Sequence, residues 1–134
     1  MRRLPPHLRV RRHVVAAGNG TTWPGAADAH RFLAILALQG EVLELRAPKI
    51  PPKKITFAGY YNDLEALIRD AKTLERRKAP GVYVTLNPVN PDLLARSCNR
   101  GQDRPESAVG DNDILRRRWM FVDVDPVRPG GISA

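Results

Sequence analysis

The hydrophobic period changes several times along the chain, and each change predicts an element. From Asp28 onward Ala29, Phe32, Leu33 and Leu36 recur at helical spacing, with Gly40 placed to close the helix. Residues 41–46 (EVLELR) alternate, which predicts a strand with Leu43 and Leu45 on one face and Glu44 and Arg46 on the other. The stretch 47–54 (APKIPPKK) holds three prolines and three lysines, so a loop or an exposed edge is expected. Residues 55–61 suit a second short strand or an extended arm. Asn62 followed by Glu65 is a capping pattern, after which Leu64, Leu67, Ile68, Ala71 and Leu74 mark one helical face. Arg76, Arg77 and Lys78 complement the carboxyl end of that helix, and Pro80-Gly81 stops it.

Residues 81–89 predict another strand, with Val82, Val84 and Leu86 opposite Tyr83, Thr85 and Asn87. Asn90-Pro91-Asp92 caps a short helix that carries Leu93, Leu94 and Cys98, the cysteine being expected as a small core residue. Residues 101–112 are polar and are expected to be mobile. A last strand is expected over residues 116–125 (RRRWMFVDVD), closed by Pro126. Alternation there gives Met120, Val122 and Val124 one apolar face, assigned to the core, and gives Trp119, Phe121, Asp123 and Asp125 the other. Before Ala26 no period survives, and Pro5, Pro6, Gly18, Gly20, Pro24 and Gly25 break the chain.

These elements predict an α+β fold, a small mixed or antiparallel sheet with helices packed on one face. The expected organisation is a basic, disordered leader over residues 1–25 and one domain over 26–134. The 134 residues, 43% hydrophobic and 27% charged, suffice for one core. A single cysteine excludes an internal disulfide framework, and His7, His13 and His30 lack the spacing of a metal site. No apolar run approaches the ~20 residues of a membrane span, and the apolar stretch behind the basic start is too short for a secretory signal. A cytoplasmic protein without membrane contact is therefore expected. Of the net charge of +8, five positive charges belong to Arg2, Arg3, Arg9, Arg11 and Arg12 in the leader. A basic leader fits a nucleic-acid backbone, and equally a solvated tail.

Candidate chemistry concentrates in the last strand. Asp123 and Asp125, at i and i+2, have Cα atoms roughly 6.5–7 Å apart and point the same way, so they can converge on hard cations such as Mg²⁺ or Mn²⁺. Two such ions ~3.5–4 Å apart activate an attacking oxygen and neutralise a leaving phosphate. Asp-x-Asp also arises by chance where a strand enters a proline turn. The neighbourhood adds weight: Arg116, Arg117 and Arg118 precede the pair and Arg128 follows, a cation supply suited to a triphosphate or a nucleic-acid backbone. The competing reading pairs these arginines with nearby acids. Asn87, Tyr83 and Thr85 lie on the polar face of their strand, where they can meet a nucleotide or template. Trp119 and Phe121 can offer a stacking surface, the competing reading being that a neighbouring element covers them.

Residues 81–100 (GVYVTLNPVNPDLLARSCNR) and 113–134 (DILRRRWMFVDVDPVRPGGISA), with the earlier ADAHRFLAILALQGEVLELRA and AGYYNDLEALIRDA, carry a resemblance. Over roughly residues 27–134 the chain resembles the amino-terminal part of bifunctional primase–polymerases of the archaeo-eukaryotic primase superfamily. The resemblance implies half of an RRM-like catalytic module, with Asp123 and Asp125 as the catalytic, metal-binding acidic pair of its first motif. It implies Mg²⁺ or Mn²⁺ as cofactor and, as partners, DNA template and primer, nucleoside triphosphates, and a helicase or a second chain that completes the site. The implied activity is template-directed nucleotidyl transfer in the replication of a phage, plasmid or mobile element. The family also uses a phosphate-binding histidine motif and a third acidic residue beyond the acidic pair. No histidine follows Asp125 here, so the expectation is a truncated module, inactive or feeble alone. The alternative is a non-catalytic nucleic-acid-binding module that uses the leader and Arg116–Arg118.

Overall fold

The computed structural model describes residues 25–122. The leader expected over residues 1–25 lies outside it save for Gly25, and so do all residues from Asp123 on. Its elements are α1 (Ala26–Leu36), β1 (Leu43–Ile50), β2 (Ile55–Tyr61), α2 (Leu64–Arg76), β3 (Tyr83–Val84) and β4 (Arg100–Asp103), with 3-10 turns at Pro91–Ala95 and Asp111–Asp113. The fold is α+β. Among the described residues the four strands form one sheet in the order β3-β1-β2-β4, every neighbouring pair antiparallel.

One face of the sheet carries both helices. Leu43, Leu45, Ala47 and Ile50 from β1 join Phe57 and Tyr61 from β2, Leu33 and Leu36 from α1, and Leu67, Ile68, Ala71 and Leu74 from α2 in one buried cluster. Burying each of the larger side chains stabilises the fold by about 1.5–3 kcal/mol. Residues Val82, Val84 and Leu86 pack against this cluster, as the alternation of their segment predicted. A second cluster of Val42, Tyr60, Val89, Leu93 and Val109 covers part of the opposite face. Glu44, on the face opposite Leu43 and Leu45 as the alternation predicted, lies beneath it at 1% exposure, bonded through its backbone to Thr85.

Several boundaries differ from the sequence expectation. Strand β1 runs on through Pro48 to Ile50, where a loop was expected. One extra residue on β1 separates the pairs Ala47↔Phe57 and Ile50↔Ile55, so a bulge keeps Ala47 and Ile50 on the same buried face. The cap of α2 is Asp63, not Asn62: its Oδ1 accepts from the backbone N–H groups of Glu65 and Ala66, a cap worth about 1 kcal/mol. Asn62 instead exchanges hydrogen bonds with Asn99. Helix α1 ends at Leu36, and Gly40 (φ 83°) serves a separate turn before β1. Cys98 is exposed rather than in the core.

The polar stretch expected to be mobile contains β4. This strand has almost no apolar content, and it is held by its neighbours. Gly101 lies opposite Gly59 on β2, and a Cβ at Gly101 would overlap the Phe57 ring, so only glycine permits the approach. Asp70 on α2 accepts from the Gly101 N–H (3.0 Å) and from the Tyr61 hydroxyl (2.7 Å). Burial and the Asp70 carboxylate raise the Tyr61 pKa well above its ordinary value. Arg77 grips Asp103 with two bonds, 2.9 and 3.0 Å.

The largest departure is in the last segment. Residues 115–122 form no strand, and Met120 and Val122 are 82% and 65% exposed, not in the core. A strand needs a continuous backbone partner, and the adjoining segment 85–90 supplies one only as far as Pro88.

Candidate nucleic-acid interface

The segment that leads toward the expected acidic pair is fixed by an unusual partner. Val89 bridges Val42 on one side and Ile114 on the other, both antiparallel. The Asn90 N–H donates to the Asp113 carbonyl (2.7 Å) and the Leu115 N–H to the Pro88 carbonyl (2.9 Å). Beyond that point a side chain replaces the backbone ladder. Asn87 donates from Nδ2 to the Trp119 carbonyl (2.8 Å), and its Oδ1 accepts from the N–H groups of Arg118 (2.8 Å) and Trp119 (2.7 Å). Asn87 is 6% exposed. The sequence had offered it to a nucleotide; its donor and acceptor are instead committed to the backbone of residues 118–119, and it is a positioning residue.

The three arginines divide. Arg118 Nη2 meets both oxygens of Glu41 at 2.7 and 2.8 Å, and Nη1 donates to the Leu36 carbonyl (3.3 Å) at the carboxyl end of α1. A guanidinium there also complements the helix dipole. Arg116 Nη2 lies 3.5 Å from the same carboxylate, with most of its side chain in solvent. Arg118 is thus engaged within the chain by Glu41, whereas Arg116 makes one longer contact to the same carboxylate. Burial alone would raise the Glu41 pKa, but the Arg118 hydrogen bond, the Leu38 N–H and the charges of Arg118 and Arg116 together hold it below its ordinary value. Arg117 is exposed and forms no ion pair with a described residue.

Trp119 and Phe121 are 39% and 41% exposed, next in sequence to the exposed Met120 and Val122; Phe32, Ile35 and Leu38, in and just after α1, are exposed as well. Asp123, Asp125 and Arg128 lie outside the described residues. Among the described residues no group of three or more His, Cys, Asp or Glu gathers as a metal site. Thr85 is buried and its Oγ1 accepts from the Glu44 N–H at 3.1 Å, which fixes β1 rather than a ligand. A cavity of about 220 Å³ lined by Ala58, Tyr60, Arg96, Gln102, Glu106 and Ser107 lies on the helix-free side, and within it Arg96 already donates to Ser107 (2.8 Å).

Sequence reasoning missed Glu41, the anchor of Arg116 and Arg118. Its signal was present: a lone acid just after a helix, before an apolar strand. Comparison with family models, with curated proteins and with solved structures gave no match.

Proposed function

We propose that residues 26–134 are the amino-terminal part of a primase–polymerase module with an RRM-like sheet, which takes part in template-directed, divalent-metal-dependent nucleotidyl transfer. The observation that carries the reading is the Asp123-Val124-Asp125 triplet, within a stretch whose wording resembles that family's first motif. In support, two separate segments flanking the sheet strands hold the approach to that triplet: Asn87, after β3, clamps residues 118–119, and Glu41, before β1, holds Arg118. An antiparallel sheet with both helices on one face is also what the resemblance implies.

The donor set fits the metal. Two carboxylates supply hard oxygen ligands of the kind Mg²⁺ and Mn²⁺ take. A bound cation would supply charge neutralisation at the phosphates. Arg117, exposed and without an ion pair among the described residues, would bind a triphosphate or template phosphate, together with Arg128.

The test is a Mn²⁺ titration followed by electron paramagnetic resonance, comparing the chain with the Asp123→Asn/Asp125→Asn variant. The expected result is saturable binding that the double variant loses at least tenfold, with an unchanged melting temperature. Nucleic-acid binding that needs no metal and ignores both substitutions would replace this reading with a non-catalytic binding module.

A further inference from the structure

The β1–β2 hairpin carries a charge pattern that neither the core nor the proposed catalytic motif uses. Between the buried Glu44 and Asp63 the chain has no acid, and Arg46, Lys49, Lys53 and Lys54 fall in that interval. Arg104 joins them from just beyond β4, since its N–H donates to the Thr56 carbonyl (2.7 Å) beside the hairpin end. Lys49, Lys53, Lys54 and Arg104 are all exposed, and none forms an ion pair with a described residue. The one acid on the adjacent strand end, Asp103, is already held by both Arg77 nitrogens.

Backbone geometry marks three of these four residues, along with Lys78 and Asn99 elsewhere in the chain. Lys49, Lys54 and Arg104 have φ of 58°, 51° and 55°, left-handed values at which glycine or asparagine is the undemanding choice. Three long cationic side chains thus occupy the three left-handed positions at this end of the sheet. The end is also rigidly seated, because Ile50 is fully buried between the bulge and the turn. Non-glycine residues held this way are a pointer to a binding role.

We propose that this hairpin end is a clasp for the phosphate backbone of a nucleic-acid duplex, with Lys49, Lys53, Lys54 and Arg104 meeting the phosphates. Among the described residues the hairpin tip, residues 49–55, has no aromatic ring, and Phe57 further along β2 is buried in the helix-side cluster. Single-strand binders add stacking platforms to their charges, so cations without rings fit a duplex backbone better. Phosphates on one strand of a duplex recur every ~3.4 Å along the axis, within reach of cations spread over a hairpin end. The choice of polyanion rests on the nucleotidyl-transfer reading, while the surface itself does not.

The experiment measures binding of the full chain to a labelled 20-base-pair DNA duplex across a salt series. It compares wild type with Lys49→Gln/Lys53→Gln/Lys54→Gln, with the matching triple Lys→Arg variant, and with a charge-matched control on α2 and its end (Lys72→Gln/Arg76→Gln/Lys78→Gln). We expect the hairpin Gln variant to bind about tenfold or more weakly in low salt, its log K against log salt slope reduced by about 2–3. The Arg variant and the α2 control are expected to stay within about twofold of wild type. Melting curves and the Arg variant separate lost charge from lost fold. A hairpin Gln variant that binds duplex as wild type does overturns the clasp and leaves the catalytic reading standing. A chain that ignores duplex yet needs these lysines for phosphatidylserine vesicles overturns it in favour of a membrane surface. A chain that binds neither polyanion overturns the clasp, and the Mn²⁺ titration then decides the catalytic reading separately.

Discussion

Asn87 is the residue on which the path to the acidic pair depends. A single amide makes three hydrogen bonds to one dipeptide, and its burial means that water cannot easily replace them. Truncation to Ala leaves two N–H groups and a carbonyl without partners, a loss of about 1–3 kcal/mol. In Asn87→Ala the amides of Arg118 and Trp119 should exchange with solvent much faster than in wild type, while those of α2 keep their protection. Hydrogen exchange followed by NMR reads this directly. Unchanged protection at Arg118 and Trp119 would show that the clamp is not what holds the segment. From the sequence, Asn87 was legible only as a polar residue on the outer face of a strand. Whether such an amide faces a ligand or a backbone depends on what lies 32 residues further on, which no local pattern encodes.

At the scale of elements, the Glu41–Arg118 pair ties the end of α1 and the start of β1 to the last segment. Its acid has a lowered pKa, which fixes the sign of the pH effect. The stabilisation is fully present above the ordinary glutamate value of 4.5 and is lost as pH falls through the lower folded value. The melting temperature of wild type should therefore fall as pH drops below about 4.5, and Glu41→Gln should melt lower at pH 7 with a shallower acid dependence. Loss of a charged hydrogen-bonded partner of this kind costs about 1.5–3 kcal/mol. Parallel pH profiles for the two proteins would contradict the assignment. Which elements the sequence revealed follows from how each is stabilised. Helix α2 was plain because five apolar residues share a face and all are inward. Strand β4 was hidden because Arg-Gly-Gln-Asp has no apolar face at all and is held by backbone pairing, by Asp70 and by Arg77. The end of β1 was hidden by its prolines, since a bulge, not alternation, brings Ile50 into the core. In residues 116–122 the alternation was clear and misled, because a pattern of side chains does not supply the strand partner that would order it.

At the scale of the whole molecule, the sheet separates two jobs. One face carries the helices and the larger core, and the other presents Arg46, Tyr83 and Gln102 between the second cluster and the basic hairpin end. No helix among the described residues is long and apolar enough to cross a membrane. On the proposed reading, Asp123, Asp125 and Arg117 together receive a metal-bound triphosphate. Equilibrium binding of a labelled nucleoside triphosphate to the full chain, with and without Mn²⁺, tests it most directly. The account predicts binding that requires Mn²⁺, weakens about tenfold or more in Arg117→Gln, and vanishes in Asp123→Asn/Asp125→Asn. Binding that persists without the metal, or that is indifferent to both carboxylates, would contradict it.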